Sequence, residues 1–184
     1  MSNLRQLSMI STIYAQDNKN LMPGLLDPKS KKYNGWVMKL LPYTQSSGSK
    51  EVYNETFYCY ESNSELEIPI SYGYNAALIQ SDGTGINEKM ILKPNHVGVL
   101  CDAEPTPNEG GIIGTITGKS DKFSVKTVKP VSRHSGGIII GYADGHSAFV
   151  SEKYDENNPN QEVNKAFYRA VELGYIKKAD TEGR

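Results

Sequence analysis

Long hydrophobic runs are missing from this chain. No stretch approaches the roughly 20 apolar residues of a membrane-spanning helix, and the first residues do not read as a secretory signal peptide. Charge of one sign is not in surplus either. Lysine and arginine total 20 against 21 aspartate and glutamate, a net charge of −1. With no basic excess to neutralise phosphates, nucleic acid is excluded as an expected partner. The lysines are scattered apart from Lys29, Lys31 and Lys32, which read as a solvated loop and not as a membrane patch. Cysteine is scarce, with only Cys59 and Cys101. A bridge between them would close a loop worth roughly 3–4 kcal/mol; two buried thiols are the alternative. No pair of histidines or cysteines has the local spacing of a zinc site, so no metal is expected from spacing. A phosphate-binding loop is absent too: GGIIGTITG has glycines but no helix to follow. GYADG places no serine at its turn, so no nucleophile elbow is present.

What is there is a chain of 184 residues, 38% apolar and 22% charged, long enough for one domain with a modest core. Leu4, Leu7, Ile10 and Tyr14 form a helical stripe with Met9 and Ile13 at its margins, predicting a helix from Asn3 to Ala15 or Gln16. The chain opens as if already inside that helix, which is expected to continue a longer one in the native protein. DNKN and the Pro23-Gly24 pair end it. A short helix is expected around Trp36 and Leu40, stopped by Pro42, followed by a loop at QSSGSK. Strands are expected at Phe57 to Tyr60, in ISYGYNAALI, at Val97 to Cys101 and in GIIGTITG and KFSVKTVKPV, with EPTPNEGG as a loop. A final helix is capped by Asn158, carries Pro159 in its first turn and ends before Gly174, burying Val163, Ala166, Phe167, Ala170 and Val171. The fold class is α+β, since strands do not alternate with crossover helices.

The segment SRHSGGIIIGYADGHSAFV gathers most of the conspicuous polar residues. Asp144-Gly145 between apolar runs predicts a two-residue type I′ hairpin, setting Ala143 opposite His146, Gly141 opposite Ala148 and Ile139 opposite Val150. His134 and Asp144 are ten residues apart, roughly 33 Å along a strand, so they cannot form a dyad. His134 needs a partner from elsewhere, and Asp102, at the end of a buried strand, is the expected partner of His134 or Arg133. Asp144 and His146 flank the turn closely enough to share a hydrogen bond, or serve turn geometry alone. Asp155, Glu156, Asn157 and Asn158 gather oxygen ligands of the kind calcium accepts; a surface turn capping the last helix is the competing reading.

Together these residues resemble a family. NLRQLSMISTIYAQDNKNLMP, YCYES followed by ISYGYN, and RHSGGIIIGYADGHSAFV are similar to the prepilin-type H-X9-DG proteins related to the pseudopilins of type II secretion. The signature falls on His134, Asp144, Gly145 and His146, preceded by Arg133. Tyr60 stands where the family usually has proline after the cysteine. The resemblance implies a pilin-like fold, with an N-terminal helix packed on an antiparallel sheet, a late Asp-Gly hairpin and a C-terminal helix. It further implies an extracytoplasmic, non-catalytic assembly subunit, anchored in the membrane through a helix upstream and partnered by other pseudopilins or secretion-system components. Related pseudopilins hold calcium in a C-terminal loop, which would fall on Asp155 and Glu156; no other cofactor is implied. Two rival readings make their own demands. A glycan- or substrate-binding module needs Tyr33, Trp36, Tyr58 or Tyr72 exposed together. A hydrolase using His134 or His146 needs a pocket with a carboxylate or serine in reach of one imidazole.

Overall fold

The computed structural model describes residues 2–26, 35–44, 55–62, 69–107, 111–113 and 126–177. Lys29, Lys31, Lys32, the QSSGSK loop, Tyr33 and the alternation at Phe123 and Val125 lie outside them. Helix α1 runs Ser2–Asp17 and buries the expected stripe, Leu4, Leu7, Ile10 and Tyr14. Lys19 and Asn20 then take left-handed backbone, and the Asn20 N–H closes back on Ala15 O, so DNKN does end the helix. Helix α2, Gly35–Leu40, buries Trp36, Val37 and Leu40 and tightens into a 3-10 turn, Leu41–Tyr43, that contains Pro42.

Five strands form one sheet: β1 Pro69–Asn75, β2 Gly98–Pro107, β3 Gly111–Ile113, β4 Ile138–Tyr142 and β5 Ser147–Val150, in the order β3-β1-β2-β4-β5. The antiparallel expectation is corrected at one edge. β3 runs parallel to β1, pairing Gly73 with Gly111 and Asn75 with Ile113, so the sheet is mixed. β1 and β3 both run opposite to β2, so side by side they can only be parallel. β2 also continues past Asp102, where a loop was expected. Pro105 falls where the β1–β2 register slips, between Ile70 and Tyr72, and Pro107 is the last residue, so neither missing N–H interrupts a regular ladder.

The sheet is covered on both faces. α1 and α2 lie over one, where Leu100 and Ile139 join the stripe of α1; Cys101, Ile138, Ile140 and Tyr142 face the other, against Val163, Ala166 and Phe167. Double burial explains why β4 reads as a continuous apolar run. α1 approaches β4 so closely that a Cβ on Gly141 would meet Ser8 Oγ at 2.1 Å and Leu4 O at 2.9 Å.

Three further expectations change. Phe57 to Tyr60 is not a strand: Glu55–Phe57 is a 3-10 turn, and Asn3 Nδ2 donates to Glu55 O (3.0 Å) and Tyr58 O (2.9 Å). The segment's carbonyls are tied to α1, Phe57 packs on Trp36 of α2, and Tyr58 meets the exposed Tyr60 edge-on, none of them entering a sheet. The hairpin loop has three residues, not two. Tyr142 N–H bonds His146 O, Gly145 N–H bonds Tyr142 O, and Ile140 stands opposite Ala148. Only Gly145 adopts positive φ (+86°), while Asp144 does not, which rules out type I′ and fits a type I turn closed by a glycine bulge. The register shifts by one residue from the expected one, and Tyr142 now stacks on His146, centroids 4.3 Å apart. The last helix is distorted. Asn164–Tyr168 is a π-helical turn, with Arg169 N–H reaching Asn164 O, and the buried Asn164 side chain donates to Asp155 O and Asn158 O. Its expected stripe is nonetheless buried at Val163, Ala166, Phe167 and Ala170, with Val171 half-buried. The helix stops at Tyr168, short of the expected end, and residues 169–174 are a bend and turns closed at Gly174 by Tyr175 N–H to Ala170 O and Gly174 N–H to Val171 O.

Candidate functional site

The slip in the β1–β2 register leaves strand carbonyls without regular partners, and Arg133 meets them. Its guanidinium donates to Ser71 O on β1 (2.9 Å) and to Ala103 O on β2. Only 6% of the side chain is exposed, and Nη1 lies 3.7 Å from Asp102 Oδ1. Asp102 is fully buried on β2 beside the slip. Its Oδ2 accepts the Ile139 N–H (2.7 Å), so a carboxylate fills the place where the β2–β4 ladder has stopped.

His134 opens a left-handed turn. φ is +35° at His134, +62° at Ser135 and +88° at Gly136, and the Gly136 N–H closes on Arg133 O. Non-glycine residues rarely hold this conformation. Here it carries the imidazole into a cleft of about 250 Å³ lined by Cys59, Tyr58, Tyr60, Glu61, Asp102 and Tyr72. His134 Nδ1 lies 2.9 Å from Glu61 Oε1, and the other Glu61 oxygen accepts the His134 backbone N–H. On the opposite side of the ring, Nε2 lies 3.4 Å from Asp102 Oδ1 and 3.5 Å from Cys59 Sγ. Arg133 and His134 thus both come near Asp102, at 3.7 and 3.4 Å from its Oδ1, but that oxygen accepts no hydrogen bond among the described residues, so the expected hydrogen-bonded pair is not formed.

Cys59 and Glu61 enter this site unannounced by the sequence. Residues 59, 102 and 134 come from three separate segments, and spacing rules see only neighbours; the single pointer was Cys59 in the YCYES segment. Both cysteines are buried free thiols. Burial pushes the Cys59 thiol up, only partly opposed by a backbone hydrogen bond from Glu61. It also pushes Asp102 up, against the Ile139 N–H and the His134 and Arg133 charges. The hydrogen bond to His134 holds Glu61 below the usual carboxylate range. A relay between thiol and imidazole is poorly served. The thiol is held in its protonated form, and Asp102 shares the same ring nitrogen that would have to take its proton.

The remaining signature residues lie at the far end of β4. Asp144 Oδ1 accepts the His146 N–H (3.2 Å) and also pairs with His146 Nδ1. No second carboxylate or nucleophile joins them among the described residues. The calcium candidates are engaged separately: Glu156 pairs with Lys129 at 2.7 Å, and Asp155 Oδ1 accepts the Asn157 N–H. Of the four aromatics of the expected platform, Trp36 and Tyr72 are buried, Tyr58 is half-buried and Tyr33 lies outside the described residues. Trp36 stacks on Tyr74 and donates Nε1–H to Gly111 O. Comparison with protein-family models, curated proteins and solved structures finds no match for the chain.

Proposed function

We propose that this chain is a non-catalytic assembly domain of a pseudopilin-like protein. It works outside the cytoplasm, is anchored through an apolar helix upstream of α1, and is partnered by other such subunits or by secretion-system components. One observation carries the reading: α1 seats its apolar stripe on the sheet and still exposes Met9 (49%) and Ile13 (45%) one helical turn apart. A helix packed on its own sheet that keeps apolar side chains outward is suited to lie against neighbouring helices in a filament or pseudopilus. Most of the signature supports the same reading. Arg133 ties two strands, and Asp144, Gly145 and His146 shape a turn. Among the described residues no helix is long and apolar enough to cross a membrane, so the anchor in this reading is the helix expected upstream.

The test is a Met9→Glu, Ile13→Glu pair in the membrane-anchored protein in its native cell. Cross-linked oligomers should disappear, while the soluble chain should unfold within about 0.5 kcal/mol of wild type, as exposed substitutions do. Oligomers undiminished by the pair contradict the reading.

A further inference from the structure

We propose that Cys59, Asp102 and His134 bind one divalent transition-metal ion of the zinc class, with the fourth coordination position open to the cleft. The ligand atoms all lie within 4.8 Å of one another and belong to three different elements: sulfur, nitrogen and oxygen. The sulfur–nitrogen and nitrogen–oxygen separations fit one metal centre, with sulfur and oxygen within 4.8 Å of each other. With metal–sulfur near 2.3 Å, metal–nitrogen near 2.0–2.1 Å and metal–oxygen near 2.0–2.2 Å, tetrahedral angles put sulfur about 3.6 Å from nitrogen and nitrogen about 3.4 Å from oxygen. The observed distances are 3.5 Å and 3.4 Å.

A second, independent observation points to a ligand. Asp102 is fully buried, and its Oδ1 accepts no hydrogen bond among the described residues. An orphaned buried carboxylate oxygen is costly. The Arg133 guanidinium is nearby but is committed to Ser71 O and Ala103 O.

The imidazole is set in the orientation a ligand requires. Glu61, as a carboxylate, only accepts, so its bond to Nδ1 assigns the ring proton there. Metal binding takes the ring with Nε2 free of a proton, its lone pair facing Asp102 Oδ1 at 3.4 Å. A cation between them turns repulsion into coordination. Carboxylate to Nδ1–H with metal on Nε2 is the usual arrangement around a ligating histidine. On binding, the Cys59 S–H bond breaks, its proton leaves to solvent, and the thiolate becomes the ligand. One thiolate and one carboxylate balance the divalent charge. Sulfur and imidazole donors select zinc-like ions over calcium or magnesium. The bound ion would join the 55–62 segment, β2 and the left-handed turn at one point. This inference stands whether or not the assembly reading does.

The test uses the whole chain, stripped with a chelator and titrated with zinc alone by calorimetry, then with cobalt followed by thiolate-to-metal absorption. The expected result is one equivalent bound. Stoichiometric binding and the absorption band should both be lost in Cys59→Ser and in His134→Ala, and retained in His146→Ala. Because core variants can misfold, Glu61→Gln provides a surface variant, which should weaken affinity about 10–100-fold with an unchanged circular dichroism spectrum. Absence of zinc binding by the stripped wild-type chain overturns the proposal, as does binding of equal strength by folded Cys59→Ser.

Discussion

Arg133 shows how far one side chain can organise this molecule. It is nearly sealed from solvent, bonds carbonyls of two strands at a register slip and neighbours the buried Asp102. Replacing it with methionine keeps most of the volume and removes the charge. The Asp102 carboxylate and two strand carbonyls are then left buried without their cation. Breaking a buried pair from one side costs about 3–5 kcal/mol, and Arg133→Met should lower stability by that amount in urea unfolding. A change below about 1 kcal/mol, the scale of exposed pairs, would contradict the role given to it. At this scale the sequence was informative about Asp102. A carboxylate that follows the apolar run Val97 to Cys101 needs a partner even though β2 continues past it, and Arg133-His134 precedes the next buried strand. Cys59 was not legible, because its distance from residues 102 and 134 along the chain hides a convergence only the fold creates. The zinc spacing rule is silent on this cluster for a physical reason: it tests ligands on one turn or hairpin, and these three side chains come from three segments.

Between elements, the decisive contact is α1 on β4. Gly141→Ala would place a methyl group against Ser8 Oγ and the Leu4 carbonyl. Alanine in a strand gains about 0.5–1 kcal/mol over glycine from backbone entropy, whereas overpacking against a fixed backbone costs about 1–3 kcal/mol. The clash should win, with a net loss of stability. Adding Ser8→Ala removes the nearer atom, so the double variant should recover at least about 0.5 kcal/mol relative to additivity. Strict additivity in denaturant unfolding would mean that the two elements do not meet there. Elements with a strong period were readable: the α1 stripe and the apolar run of β4 both follow from which faces are buried. The hairpin was readable as a turn but not in register, since Ala-Asp-Gly satisfies both a two-residue and a three-residue loop and the backbone at Asp144 decides between them. The Phe57 segment misled because aromatic residues suit a strand and a helix-packed turn equally; its carbonyl partner, Asn3, lies 52 residues from Glu55.

Across the whole molecule, helices cover one face of a mixed sheet, and a π-distorted segment covers the other. The two ends of β4 carry two of the three histidines into different surroundings. His146 lies over Tyr142 at the hairpin, and His134 sits in the cleft beside Cys59 and Asp102. The helix-on-sheet layering was legible in the order of elements, helix first and strands after. The parallel edge strand was not, because a three-residue strand has too short a pattern to declare its direction. The layering leaves α1 bound by its apolar stripe, with Met9 and Ile13 outward, which is the arrangement an anchored assembly subunit would use. Sequencing the N-terminus of the mature protein recovered from its native cell, together with its fractionation, tests this most directly. The account predicts an apolar helix continuous with α1 and recovery in the membrane or extracytoplasmic fraction; a mature N-terminus at Met1 with all of the protein in the cytoplasmic fraction would contradict it.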